Sequence, residues 1–240
     1  MSKSRNKRVI VDNFVFLITD CKDHIQKCLC KGKYYEHKMI SYIQKHYNGG
    51  RFIDIGACFG NHTLAFSRVA DKVESFEPEA SLMLLLSTNV MINVQPDKVG
   101  IHHTALGNKI GFAKFELPSK KNCGQGRITS TGITHIPITT LDSYKFSDVT
   151  LIKIDVEGYE LEVLKGAKKT IKSELPDMFI ECATKSSKEE VTKFLQSINE
   201  NYKDVKKFNA TPTYLFTIKP ETKNGKEEKK NWFFKLLGIW

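Results

Sequence analysis

No run of 18 consecutive apolar residues occurs in this 240-residue sequence, so no segment is long and apolar enough for a membrane-spanning helix. The opening, MSKSRNKRVI, carries positive charge without the apolar stretch that a secretory signal places behind it. A soluble, cytoplasmic protein is expected. No C-x-x-C pair occurs among Cys21, Cys28, Cys30, Cys58, Cys123 and Cys182, and their scatter predicts reduced thiols in a reducing compartment. His24, Cys28 and Cys30 match no zinc-module spacing, so a short helix or hairpin with unpaired thiols is expected there. No long Pro-, Gly- or Ser-rich linker divides the chain, which is long enough for one domain with a continuous core.

The formal charge of +10 favours an anionic partner, but much of the excess sits at the ends, in SKSRNKR and KNGKEEKK. The central region has no basic stripe interleaved with aromatics, so nucleic acid is not the expected partner.

From Phe52 onward, short apolar strands alternate with longer helical stretches, the pattern of a parallel sheet covered by helices on both faces. Strands are expected at 51–55, 72–78, 99–106, 149–156, 177–183 and 213–219, with 204–209 beside the last. Helices are expected at 61–70, 79–93, 158–173 and 187–199, the last with a capping box from Ser187 to Glu190. Segments 111–117 and 134–141 read as an added hairpin, with the polar stretch 118–132 at the surface.

FIDIGACFGNHTL, residues 52–64, is a strand, a glycine-bearing turn and a helix start. Its G-x-x-x-G spacing, with no following Lys, is neither a P-loop nor the dinucleotide fingerprint. Gly56 and Gly60 permit a tight turn and close approach of a ligand. Twenty-three positions after Asp54, Glu77 ends the second strand, where a carboxylate accepts hydrogen bonds from both hydroxyls of a ribose. Asp54 ends the first strand and suits an ammonium group. A ribose, an amino group and no phosphate describe S-adenosylmethionine. The alternative is that both acids merely cap helices.

FIDIGACFGNHTL, ESFEPEASLMLLLSTNVMIN, HTALG and LIKIDVEGYELEVLKGA, in that order, resemble the FkbM family of S-adenosylmethionine-dependent methyltransferases. The resemblance spans about residues 34–218. It implies an α/β class I methyltransferase, a Rossmann-like three-layer sandwich whose seven-stranded sheet is mostly parallel with an antiparallel last strand. It divides the chain into an N-terminal extension (1–33), the methyltransferase domain (34–219) and a basic, aromatic tail (220–240). It also implies O-methylation, commonly of sugar hydroxyls in glycans or of hydroxyls in natural products. By position it puts Asp54, Gly56, Gly60, Asn61 and Thr63 around the methionine part of the cofactor, Glu77 on the ribose and Ala105 beside the adenine. Cys58 departs from the Asn that is frequent in the family's loop.

Methyl transfer from a sulfonium needs in-line approach of a nucleophile, and a neutral hydroxyl gains from a general base. Asp155, at the carboxyl end of the fourth main strand, is the first choice for that base or for orienting the acceptor, and it also borders the cofactor. Glu157 points to the same face if the chain is still extended there, or it stabilises the next helix from its N-terminus. Glu181, near the end of the following strand, can converge on the same pocket. Three acids also suit a divalent cation, but no dedicated ligand loop accompanies them, so a metal-free site is expected. His62, His102, His103 and His135 are rival bases.

A nucleic-acid methyltransferase is the first alternative. An Asn/Asp-Pro-Pro-aromatic turn, usual for exocyclic-amine methylation, is replaced by DVEG, and no Pro-Cys dipeptide offers a cytosine-C5 nucleophile. A non-catalytic S-adenosylmethionine-binding module is the second. The tail KKNWFFKLLGIW, 229–240, suits a membrane interface or a partner contact, or folds back on its own domain. The acceptor pocket draws on the N-terminal segment and the 118–132 loop, where Lys121, Gln125 and Arg127 suit a phosphorylated or sugar-nucleotide acceptor or are simply solvated.

Overall fold

A computed structural model describes residues 7–117 and 122–218. The tail from 219 onward and Lys121 lie outside these residues. The chain opens with a hairpin, β1 (Lys7–Val11) and β2 (Phe14–Ile18), turned by Asp12 and Asn13 at positive φ. Short polar side chains tolerate that conformation. Asn89 and Asn93 accept hydrogen bonds from the amides of Leu17 and Val15, both at 2.7 Å, and Val11, Phe16 and Ile18 join the main core. The first residues described are thus packed into the domain.

Helices α1 (Gln26–Leu29) and α2 (His37–His46) lead into β3 (Arg51–Ile55), α3 (Asn61–Phe66), β4 (Lys72–Phe76), α4 (Ala80–Met91) and β5 (Val99–His102). Strands β6 (Ala105–Leu106), β7 (Gly111–Glu116), β8 (Arg127–Ile128) and β9 (Thr134–Thr139) form a separate four-stranded sheet. The chain then returns as β10 (Val149–Ile154), α5 (Glu160–Gly166), α6 (Lys168–Glu174), β11 (Asp177–Glu181), α7 (Lys185–Ile198), β12 (Lys203–Phe208) and β13 (Thr213–Thr217). The main sheet has the order β12-β13-β11-β10-β3-β4-β5, and β13 alone runs against the direction of the other strands. This is the expected seven-stranded, three-layer fold.

Alternation along the strands builds one core on each face. Phe52, Leu151 and Phe179 pack on one side, and Ile53, Ile152 and Ile180 on the other. The strand order reverses between β3 and β10, where the two chains leave in opposite directions, and a crevice opens at the carboxyl ends of such a pair.

Several expected elements differ. The strand at 99–106 divides because Thr104 donates its hydroxyl to Pro137 O at 3.1 Å, and Ala105 crosses to pair with Ile138 in the second sheet. The helix expected at 158–173 breaks at Ala167, beside Gly166, where a Cβ would lie 1.9 Å from Gly107 O. The helix expected at 61–70 ends at Phe66. The capping box belongs to Thr184, with Ser187 as its third helical residue, one turn before the expected start. Cys21 and Cys30 form a disulfide, correcting the expectation of six reduced thiols and removing Cys30 from any metal set with His24 and Cys28. Their spacing gave no sign of it, because the turn through α1 brings their Cα atoms to 6.0 Å.

Candidate active site

The turn after β3 is fixed by backbone geometry. Gly56 has φ +79°, and a Cβ there would lie 1.9 Å from the carbonyl oxygen of Asp155. Its amide and that of Ala57 both donate to Phe76 O, at 3.1 and 3.0 Å. Only glycine satisfies both the positive φ and the close approach of β10. Gly60, with φ +96°, begins α3.

At the end of β4, Glu77 is buried and faces the crevice. Its carboxylate accepts the amide of Cys58 at 2.9 Å and of Glu79 at 2.8 Å. Burial pushes its pKa up to about 8, against the pull of these two amides. Cys58 holds its amide in place with φ +52°, a conformation in which Asn is less strained than Cys. Phe76, Leu82, Ala105, Leu106 and Val156 supply apolar crevice walls suited to a flat base.

Asp54 is fully buried and does not line the crevice. Its Oδ2 accepts the Thr63 hydroxyl at 2.7 Å, and its Oδ1 lies 3.5 Å from Lys153 Nζ. Thr63 likewise acts behind the wall, and Asn61 turns its amide to the backbone of Tyr35. Asn61 accepts from Tyr35 N at 3.0 Å and donates to Tyr35 O at 3.1 Å, which fixes the Tyr35 ring against the crevice. Of the residues expected to contact the cofactor, Gly56, Asn61, Glu77, Ala105 and Asp155 line the crevice, whereas Asp54, Gly60 and Thr63 shape it from behind.

Lys153 escaped the reading of the sequence. It is 2% exposed, reaches Asp54 at 3.5 Å and Asp155 at 3.7 Å, and donates to Gly56 O at 3.0 Å. Burial lowers its pKa, but Asp155 and Asp54 outweigh that effect and the net direction is up. The signal was present: a lysine inside LIKID, two residues before Asp155 and on the same strand face.

Asp155 stands at the crevice floor with its side chain 28% exposed. Glu181 ends the neighbouring strand. Its pKa rises to about 9, chiefly from burial and then from Asp155, Glu157 and Glu160, so it holds a proton near neutrality. Glu157 does not continue the strand. β10 ends at Ile154, and Glu157 has φ +54°, so the expected same-face alternation with Asp155 fails. Glu160, also unforeseen, ties the turn by accepting the amides of Val156 and Gly158 at 3.3 and 2.9 Å.

Among the histidines, only His62 lines the crevice, and its Nε2 lies 3.1 Å from Glu36 Oε2. His102 pairs with Glu74 at 2.8 Å, His103 with Pro78 O at 3.1 Å, and His135 sits exposed on β9. Among the described residues, no group of three or more His, Cys, Asp or Glu side chains is arranged to hold a metal ion.

Residues 54–206 match the family described as the methyltransferase FkbM domain. The fold is similar to a crystal structure of methyltransferase FkbM from Methylobacillus flagellatus KT, with TM-score 0.56 and 19% identity over 70% of this chain and 43% of that one. The chain therefore spans under half the length of that protein. A similarity at TM-score 0.48 and 12% identity reaches an rRNA methylase from Streptococcus thermophilus, over 75% of this chain and 92% of that one. Another, also at 0.48 and 12%, reaches the precorrin 8w decarboxylase of Methanobacterium thermoautotrophicum, over 75% and 86%. No curated protein matches the chain.

Proposed function

The chain belongs to the FkbM family of S-adenosylmethionine-dependent methyltransferases, and from that premise we propose that it is an O-methyltransferase acting on a hydroxyl of a sugar, glycan or related small molecule. The observation that carries this reading is the position of Asp155, whose partly exposed carboxylate lies at the crevice floor 3.7 Å from a buried lysine.

S-adenosylmethionine, when bound, supplies an electrophilic methyl group. The donor set suits it: a buried carboxylate for the ribose at Glu77 and apolar walls for the base at Ala105 and Phe76. Lys153 holds the Asp155 carboxylate in one orientation through its ion pair. Asp155 accepts the proton of the acceptor hydroxyl as that oxygen becomes a nucleophile. Glu181, protonated near neutral pH, faces Asp155 without adding a second negative charge.

Calorimetric titration with S-adenosylhomocysteine tests the cofactor assignment. Micromolar binding that weakens in Glu77→Ala is expected, and absence of binding to the unaltered protein sinks it. A screen of sugars with the methyl donor then tests the acceptor class, and methylation of amines but of no hydroxyl compound would overturn the O-methyl assignment.

A further inference from the structure

Two thiols face each other across the crevice. Cys58, in the glycine-bearing turn, and Cys123, in the short segment before β8, hold their Sγ atoms 3.7 Å apart. Both line the crevice. A disulfide needs about 2.05 Å, so a small approach of one segment joins them. The geometry points to a thiol-modification site: Cys58 and Cys123 form a dithiol that a small disulfide or another two-electron thiol oxidant converts into a cross-link closing the cofactor crevice. The consequence for the cofactor rests on the function proposed above.

The position of Cys123 explains why the cross-link matters. With Gly124, Gly126, Arg127 and Ile128 it forms part of the crevice wall, and the free space within the crevice is only about 80 Å³. Drug-sized ligands occupy pockets of roughly 300–1,000 Å³. Entry of a nucleoside-sized ligand therefore needs a wider crevice, which displacement of the Cys123 segment would supply.

In the dithiol state, noncovalent contacts hold it down. Cys123 N donates to Asp23 Oδ2 at 2.7 Å, the Gln26 amide reaches Cys123 Sγ at 3.8 Å, and Gly124 packs against Ile25. These three anchors lie within the loop closed by the Cys21–Cys30 disulfide. Contacts of this kind open and re-form, whereas a covalent bond from Cys123 to the glycine turn does not.

The chemistry balances without any group from outside the reagent. With a disulfide RSSR, the Cys123 sulfur displaces one RSH and forms a mixed disulfide. The Cys58 sulfur then displaces the second RSH and forms the Cys58–Cys123 bond. The two cysteines lose two electrons and two protons, and RSSR gains both. Contact with Cys123 and then burial hold the Cys58 thiol well above the usual range, which leaves Cys58 as the resolving thiol of the second step.

The test uses the full chain, exposed to oxidised glutathione or left untreated, with the native Cys21–Cys30 bond intact in both. Mass spectrometry of the digested, unreduced protein should find a peptide pair joined through Cys58 and Cys123. Calorimetry should show at least a tenfold loss of S-adenosylhomocysteine affinity on oxidation. Cys123→Ser, compared with its own untreated sample, should show no such loss. Absence of the joined peptides overturns the modification site, and a joined protein that binds S-adenosylhomocysteine unchanged overturns the closure. If the untreated protein fails to bind, the cofactor assignment falls, while the peptide map still decides the dithiol.

Discussion

Lys153 Nζ lies 3.5 Å from Asp54 Oδ1 and 3.7 Å from Asp155 Oδ2, so one buried cation joins the ends of β3 and β10. Asp54 has no solvent exposure, and its Oδ1 has no hydrogen-bond partner beyond this ion pair. The same ammonium thus stabilises the sheet at its switch point and orients the acid that faces the crevice.

Replacing Lys153 by Met should consequently cost more than the loss of a surface ion pair. It leaves Asp54 charged and uncompensated in the core, a change worth about 3–5 kcal/mol. Urea unfolding should show that loss. The double variant Asp54→Asn/Lys153→Met should recover a large part of it, because the buried charge is then gone. If the double variant is as unstable as the sum of the two single ones, the pair is not the cause.

Asp155→Asn keeps the shape of the crevice floor and removes the proposed base. Turnover should fall by about 10²- to 10⁴-fold, the usual contribution of a general base. S-adenosylhomocysteine affinity, measured in parallel, should be retained. A variant with full turnover would show that positioning alone carries the reaction.

With Glu77 as the proposed ribose ligand, the cofactor affinity should depend on pH. Its pKa is raised to about 8, mainly by burial, from an ordinary value of 4.5. Between those values the folded protein holds a proton that the unfolded chain has lost, so stability contributed by this group falls as pH rises from about 4.5 to about 8. Accepting from two ribose hydroxyls favours the ionised form. Affinity for S-adenosylhomocysteine should therefore increase as pH rises from 6.5 toward 8.5, about tenfold per unit below the pKa, with proton release on binding near pH 7. Calorimetry in buffers of different ionisation enthalpy measures that release, and Glu77→Gln should abolish it.

The sequence made these strand ends legible because each lies beside a local signal. Asp54, Gly56 and Glu77 sit where an apolar run stops and a turn or helix begins, and Asp155 follows the same rule. What each does was less visible. Asp54 and Thr63 act through Lys153 and through each other, and Asn61 acts through Tyr35. Those pairings join positions far apart in the chain, which no periodicity records. The same holds for the part of the crevice wall brought by Ile25 and Cys123 from segments outside the alternating pattern. Glu157 failed for a different reason: Gly158, with φ +99°, lets the chain turn immediately, so strand geometry does not extend to its neighbour.

That turn supplies the final prediction. Glu157 occupies φ +54°, where a non-glycine residue is strained by about 1 kcal/mol or more. Glu157→Gly relieves the strain and at the same time deletes a carboxylate whose pKa is raised by burial and by Asp155. If the carboxylate serves only the fold, through the next helix, the variant should lose stability despite the relief. If it serves the acceptor, stability should hold within about 1 kcal/mol while turnover falls and Asp155 remains in place. The second outcome is expected, because the N-terminal turn of α5 is already held by Glu160, which accepts the amides of Val156 and Gly158. Parallel urea titrations and initial rates with the methyl donor separate the two, and a stable variant of unchanged rate would remove Glu157 from the site.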